Sequence, residues 1–339
     1  DAEIESSEED LRDVLVSLLA EVARDYVDLR TFRSRVTIAQ RNLETQRETL
    51  DIAQWRAKAG LATDLDVEQA RYALEQTRSQ IPTLRQGAET AAHALAVLLG
   101  RPPGAIPELA EATGPMPAPP ETIAVGVPAD TLRRRPDVRR AERAAAAQNA
   151  QIGVAKADWY PKFTLLGSIG LDSTKAGSLF TKGSWDYGIG PKMTWNLFDA
   201  GRIRGNVEAQ EALEEQSLLQ YRSAVLQALQ EVEDALVAYV QERDRRGSLD
   251  AGTEAARRAV GLARDQYASG LIDFQTVLAA ERALLTLEDQ RAASAGRLVA
   301  NVIGLYKALG GGWTSEGAED VEDVEDADGV GAMKEMETR

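Results

Sequence analysis

Cysteine is absent from the 339 residues, and histidine occurs once, at position 93. Neither a disulfide framework nor a Cys or His metal centre can be assembled, and a catalytic dyad would have only His93 to draw on. In its Ala-rich surroundings that histidine reads as structural. No nucleophile–base pair and no phosphate-cradling glycine loop is present, which excludes an enzyme reading and leaves no cofactor to hold. Aromatic residues are scarce, at 5%, against 27% charged residues. That balance belongs to long helices rather than to a layered α/β core. No apolar run approaches the ~18 residues of a spanning helix, so entry into a membrane would require β-strands. Residues 1–10, DAEIESSEED, are no signal peptide. A basic excess is lacking too. The net charge is −15, and no stripe of Lys and Arg is gathered to meet phosphate, which excludes nucleic acid as a partner. Part of that charge is local: between Glu316 and Arg339 ten acids face only Lys334 and Arg339. Residues 314–339 are therefore expected to form an acidic, disordered tail.

What is present is a repeat. A gap-free superposition of 11–100 on 221–310 matches 20 of 90 positions. Glu21-Val22 falls on Glu231-Val232, Gly60-Leu61 on Gly270-Leu271, Ala73-Leu74 on Ala283-Leu284, and Leu99-Gly100 on Leu309-Gly310. Identities that coincide at the glycine breaks point to a shared structural unit. Each unit reads as a helical hairpin, over 1–100 and 199–313. In the second, helix-forming sequence without proline runs from Arg202 to Ala268. At ~1.5 Å per residue that is on the order of 100 Å, far beyond a globular helix. Leu213, Leu218, Val225, Leu229, Val232 and Leu236 keep an apolar stripe at helical spacing. The breaks fall at Gly60 and at Ser269-Gly270, and Asp64 and Asp273 are expected to cap the return helices. Residues 101–158 hold a proline-rich connector and then a shorter helix whose opening, Arg133 to Arg140, is expected to salt-bridge beside Asp137 and Glu142.

Over 159–198 the period changes from 3.6 to 2. Odd positions carry Trp159, Phe163, Leu165, Ile169 and Leu171, then Trp185, Tyr187, Ile189, Met193 and Trp195. Even positions carry Lys162, Thr164 and Ser168, then Asp186, Lys192 and Asn196. The adjoining helices offer no globular core for such a hairpin to rest on. The alternation, a dozen residues long, fits a tilted membrane strand, with aromatics near the ends. Phe163, Leu165, Ile169, Tyr187, Ile189, Met193 and Trp195 are expected to face lipid. A lone hairpin would leave backbone groups unpaired in lipid, so closure requires further strands.

These residues resemble the outer-membrane efflux proteins of the TolC and OprM type, and within them the lipoprotein-type, NodT-like branch. Leu132-Arg133-Arg134-Arg135-Pro136-Asp137-Val138 with Ala141-Glu142 is similar to that branch's most recognisable motif. Ile152-Gly153-Val154-Ala155-Lys156-Ala157 continues the likeness. Trp195-Asn196-Leu197-Phe198-Asp199-Ala200-Gly201-Arg202 is similar to the family's strand-to-helix junction, and Glu21-Val22-Ala23 with Tyr26 to its first long helix. Ala59-Gly60-Leu61 and Tyr267-Ala268-Ser269-Gly270 are similar to its turns. The likeness covers about 11–313, with several separate motifs in the right order.

The resemblance implies a mainly α fold in the outer membrane of a Gram-negative bacterium. Very long helical hairpins form a periplasmic α-barrel, an equatorial helix lies within 101–158, and the strand hairpin contributes to a trimeric outer-membrane β-barrel. It implies a homotrimer that serves as a passive exit duct for small molecules such as drugs, docked to a periplasmic adaptor and an inner-membrane pump. A soluble coiled-coil scaffold without transport is the rival reading, and such a scaffold has no use for a lipid-facing hairpin. Only one strand pair is present, and the repeat offset would set its counterpart ahead of Asp1. The chain is thus expected to be truncated part-way along its first helix. The tips, with Gly60, Leu61, Thr63 and Asp64 in one and Gly270, Leu271, Asp273 and Phe274 in the other, are the expected adaptor-docking surface. The family's inner helices converge there on a constriction often ringed by Asp. In Val277-Leu278-Ala279-Ala280-Glu281, Ala279 stands where that Asp would be, leaving Asp273 or Glu281 as substitutes.

Overall fold

The computed structural model describes residues 2–106, 116–117, 133–172, 180 and 185–311. The expected acidic tail and most of the proline-rich connector lie outside the described residues. Among the described residues the elements are α1 (Ala2–Lys58), α2 (Asp64–Leu98), α3 (Pro136–Ala157), β1 (Lys162–Leu171), β2 (Trp185–Thr194), α4 (Arg202–Ala268) and α5 (Phe274–Ala308). Contacts divide the chain into two units, 1–10 with 137–226 and 11–136 with 227–339.

In the first unit, α3 packs through Val138, Ala145, Ile152 and Ala155, while Ile203 and Val207 at the start of α4 are buried as well. Polar pairs flank these apolar contacts. Arg139 meets Glu9 at 2.9 Å, Arg143 meets Glu5 at 3.2 Å, and Arg140 pairs with Asp10. The arginine-rich opening of α3 does form salt bridges, as its composition implies, and these reach acids of α1 more than a hundred positions away. Asp199 starts α4 by accepting from the amides of Gly201 at 3.2 Å and Ile203 at 2.6 Å. The turn before it takes positive φ at Ala200 and Gly201.

In the second unit, α1 with α2 and α4 with α5 form the two hairpins. Ala39, Leu43, Leu74, Ile81 and Leu84 make the apolar seam of the first. Near the tips all four helices share one core of Ala53, Ala70, Ala73, Ala263, Tyr267, Phe274, Val277 and Leu278. Small residues let backbones approach there, and each buried methyl or methylene adds roughly 0.8 kcal/mol. Arg135, just ahead of α3, is buried, donating to the Ala308 carbonyl at 2.7 Å and to Glu231 at 2.6 Å.

Candidate functional site

The tips are built by one repeated device. At the end of α1 the Leu61 amide reaches the Arg56 carbonyl at 2.8 Å and the Gly60 amide reaches Ala57 at 2.9 Å. At the end of α4 the Leu271 amide reaches Gln266 and the Gly270 amide reaches Tyr267, both at 2.9 Å. These are Schellman closures, and they need a left-handed residue at the turn. Gly60 has φ 72° and Gly270 has φ 74°, where any residue with a Cβ is strained.

A Schellman turn ordinarily packs its last residue on the side chain of the residue whose carbonyl accepts the long bond. Here those residues are Arg56 and Gln266, whose side chains end in polar groups. Leu61 and Leu271 accordingly remain 67% and 75% exposed. Gly60, Thr63, Asp64, Gly270 and Asp273 are exposed beside them.

The return helices start from equivalent positions. Asp273 caps α5, accepting from the Thr276 amide at 2.9 Å and from its hydroxyl at 2.7 Å. Those two donors, the hydroxyl first, hold its carboxyl below the usual carboxylate range. For α2 the cap is Thr63 rather than Asp64. Thr63 Oγ1 accepts from the Asp66 amide at 3.3 Å, and Asp66 accepts from the Thr63 amide at 2.9 Å, closing a capping box. Asp64 is the first helical residue, where its negative charge meets the helix dipole.

Two residues expected at the surface of the tip are buried instead. Phe274 is only 2% exposed, its ring 5.2 Å from that of Tyr267, because the capped first turn of α5 folds it into the four-helix core. Burial in that core also holds the Tyr267 phenol up, so it stays neutral. Glu281 is 6% exposed and pairs with Arg264 at 2.7 Å, which removes it from any solvent-facing ring within this chain. Ala279 is exposed.

Arg56 crosses from the first tip to the second. Its guanidinium lies 4.6 Å from the Tyr267 ring centre and donates to the Ala268 carbonyl at 3.1 Å. Neither Arg56 nor Arg264 was a sequence candidate. A signal existed for Arg264, in the seven-residue spacing of Arg257 and Arg264 against Glu281 and Glu288. His93 is exposed on α2, and no group of three or more His, Cys, Asp or Glu that could hold a metal occurs among the described residues.

The strand hairpin is antiparallel, and its register sorts the two faces. Phe163 stands opposite Met193, Leu165 opposite Pro191, Gly167 opposite Ile189, Ile169 opposite Tyr187, and Leu171 opposite Trp185. On the other face Lys162 stands opposite Thr194, Thr164 opposite Lys192, Ser168 opposite Gly188, and Gly170 opposite Asp186. The large apolar side chains of both strands thus share one face, and all of them are exposed. Leu166, opposite Gly190, is the apolar exception on the polar face. Trp195 lies one residue past β2, where its indole N–H donates to the Trp159 carbonyl at 3.0 Å. It therefore fastens the hairpin's base. β1 starts later than the alternation suggested because residues 158–160 continue the last turn of α3.

A helical chain with repeated Gly-closed hairpins and a two-faced strand pair fits a β-barrel channel with a helical extension. The chain belongs to the outer membrane efflux protein family, whose model matches residues 1–101 and 127–311. It is 33% identical over 298 residues to Nodulation protein T of Rhizobium leguminosarum bv. trifolii, covering 87% of this chain and 62% of that protein. It is 35% identical over 315 residues to the pyoverdine export outer membrane protein OpmQ of Pseudomonas aeruginosa, covering 92% of this chain and 65% of that protein. The solved outer-membrane channel OprN matches with a TM-score of 0.85 and 36% identity, over 92% of this chain and 70% of that one. The chain thus spans just under two thirds of the length of these two curated relatives. Its relatives are outer-membrane efflux channels rather than enzymes, and membership assigns it to the outer membrane of a Gram-negative cell. The soluble coiled-coil alternative finds no support.

Proposed function

We propose that this chain is the outer-membrane exit duct of a tripartite efflux system. It conducts small molecules such as drugs passively, as a homotrimer docked to a periplasmic adaptor and an inner-membrane pump. One observation carries the reading. A strand hairpin that gathers its large apolar side chains on one face is joined to helical hairpins whose tips leave Leu61 and Leu271 uncovered. The apolar face is the surface that lipid covers, and the exposed leucines are the surface that an adaptor covers. No catalytic group is needed, because a partner pump supplies the energy.

Deleting the gene should raise intracellular accumulation of an effluxed dye, and restoring it should reverse the effect. Unchanged accumulation across a panel of dyes and drugs would overturn the duct. Within the duct, Leu165→Arg should cost about 2–4 kcal/mol near the bilayer midplane and deplete the inserted protein, whereas Thr164→Arg should be tolerated. Equal insertion of both would show that the facing is wrong. Leu61→Asp should leave assembly and melting unchanged while abolishing adaptor crosslinking and efflux. Normal export by that variant would remove the tip from the docking surface, and failed assembly would assign Leu61 to packing between protomers.

A further inference from the structure

Where α1 meets α4 and α5, buried polar residues recur in layers seven residues apart. In the layer farther from the tips, Glu288 has both carboxylate oxygens satisfied. Arg257 donates to Oε1 at 2.8 Å and Asn42 donates to Oε2 at 3.2 Å. One heptad nearer the tips, Thr49, Arg264 and Glu281 occupy the corresponding places. Arg264 donates to Glu281 Oε1 at 2.7 and 3.0 Å, and the Thr49 hydroxyl donates to the same oxygen at 2.7 Å. Thr49 is too short to do for Oε2 what Asn42 does in the first layer. Glu281 Oε2 and Gln46 Oε1 are both buried without a hydrogen-bond partner. Their residues are 6% and 5% exposed, and both line a cavity of about 20 Å³.

We propose that this cavity is a binding site for one water molecule, which donates one hydrogen to Glu281 Oε2 and the other to Gln46 Oε1. A water needs roughly 10–15 Å³ and at least two polar partners, so one fits and a second does not. Both orphan atoms are acceptors, so the guest must carry two donors. A cation is disfavoured because Arg264 already neutralises Glu281, and Val260 and Leu284 wall the same space. Leaving a buried carboxylate oxygen unpaired is costly, whereas a bridging water is nearly as good as a direct bond. The bound water completes the second layer and ties α1 of the first hairpin to α5 of the second. Polar groups at heptad positions fix register, since a slip of one residue unpairs them.

The test is a crystal structure of the protein at a resolution that separates individual waters, with a parallel soak in rubidium chloride. A single peak within hydrogen-bonding distance of Glu281 Oε2 and Gln46 Oε1, with no anomalous signal from rubidium, is the expected result. An anomalous peak would overturn the assignment in favour of a monovalent cation. A Gln46 amide turned to donate directly to Glu281, with no peak between them, would also overturn it. Gln46→Leu fills the cavity and removes one acceptor, so its crystals should lack the peak and its melting temperature should fall by several degrees. An unchanged melting temperature would count against the site.

Discussion

At position 47 of the first hairpin and position 257 of the second, an arginine closes a pair with a glutamate three residues earlier, Glu44 at 2.9 Å and Glu254 at 2.6 Å. The return helices then diverge. Glu281 and Glu288 of α5 are buried, while the equivalent positions of α2 hold Arg71 and Arg78. Those two arginines pair with Glu68 and Glu75 on an exposed face. The same backbone frame therefore carries opposite chemistry. Inside the first hairpin the packing is apolar, through Leu43, Leu74, Ile81 and Leu84. Between the hairpins the apolar core near the tips gives way, farther along, to polar contacts in which Thr49 and Asn42 of α1 donate to Glu281 and Glu288 of α5. The difference teaches that a duplicated unit keeps what closes its turns and changes what meets its neighbours.

Arg264→Ala should break the contrast most strongly. Removing it leaves Glu281 as a buried, uncompensated charge, at a cost of about 3 kcal/mol, while Arg71→Ala removes a surface pair worth at most about 0.5 kcal/mol. Thermal melting of the two variants measures the difference, and equal shifts would show that the two helices carry their charges alike. The turn glycines test the opposite side, the shared frame. Gly60→Ala and Gly270→Ala should each cost about 1 kcal/mol, because both sites have positive φ and open space around the missing Cβ. Unequal costs would mean that one tip is held by contacts that the other lacks.

The smallest effect concerns the caps, where Thr63 and Asp273 stand at equivalent positions. Asp273 has its carboxyl held below its ordinary value of 3.8 by Thr276. A depressed carboxylate contributes stability that is fully present above the ordinary value and is lost as pH falls through the lower folded one. Acid should therefore loosen the first turn of α5, read as faster amide exchange at Thr276. Asp273→Asn should remove that acid dependence while keeping a cap at neutral pH. Unchanged acid sensitivity in the variant would assign it to another group.

Local sequence determined much of this protein. The glycine breaks, the order of the described elements and the alternating hairpin all follow from periods of 3.6 and 2 and from the special status of glycine, which act within a few residues. The strand register then brought Phe163 to Met193 and Leu165 to Pro191, so the apolar face read from odd numbers became one surface. Tertiary structure decided the rest, because the deciding partners are distant in sequence. Phe274 left the tip surface for a core supplied by four helices. The arginines of α3 also found acids of α1 more than a hundred positions away. Glu281 reads in the sequence as a possible stand-in for the constriction Asp. Only the approach of Thr49 and Arg264, 232 and 17 positions away, takes it out of water and makes it part of the seam.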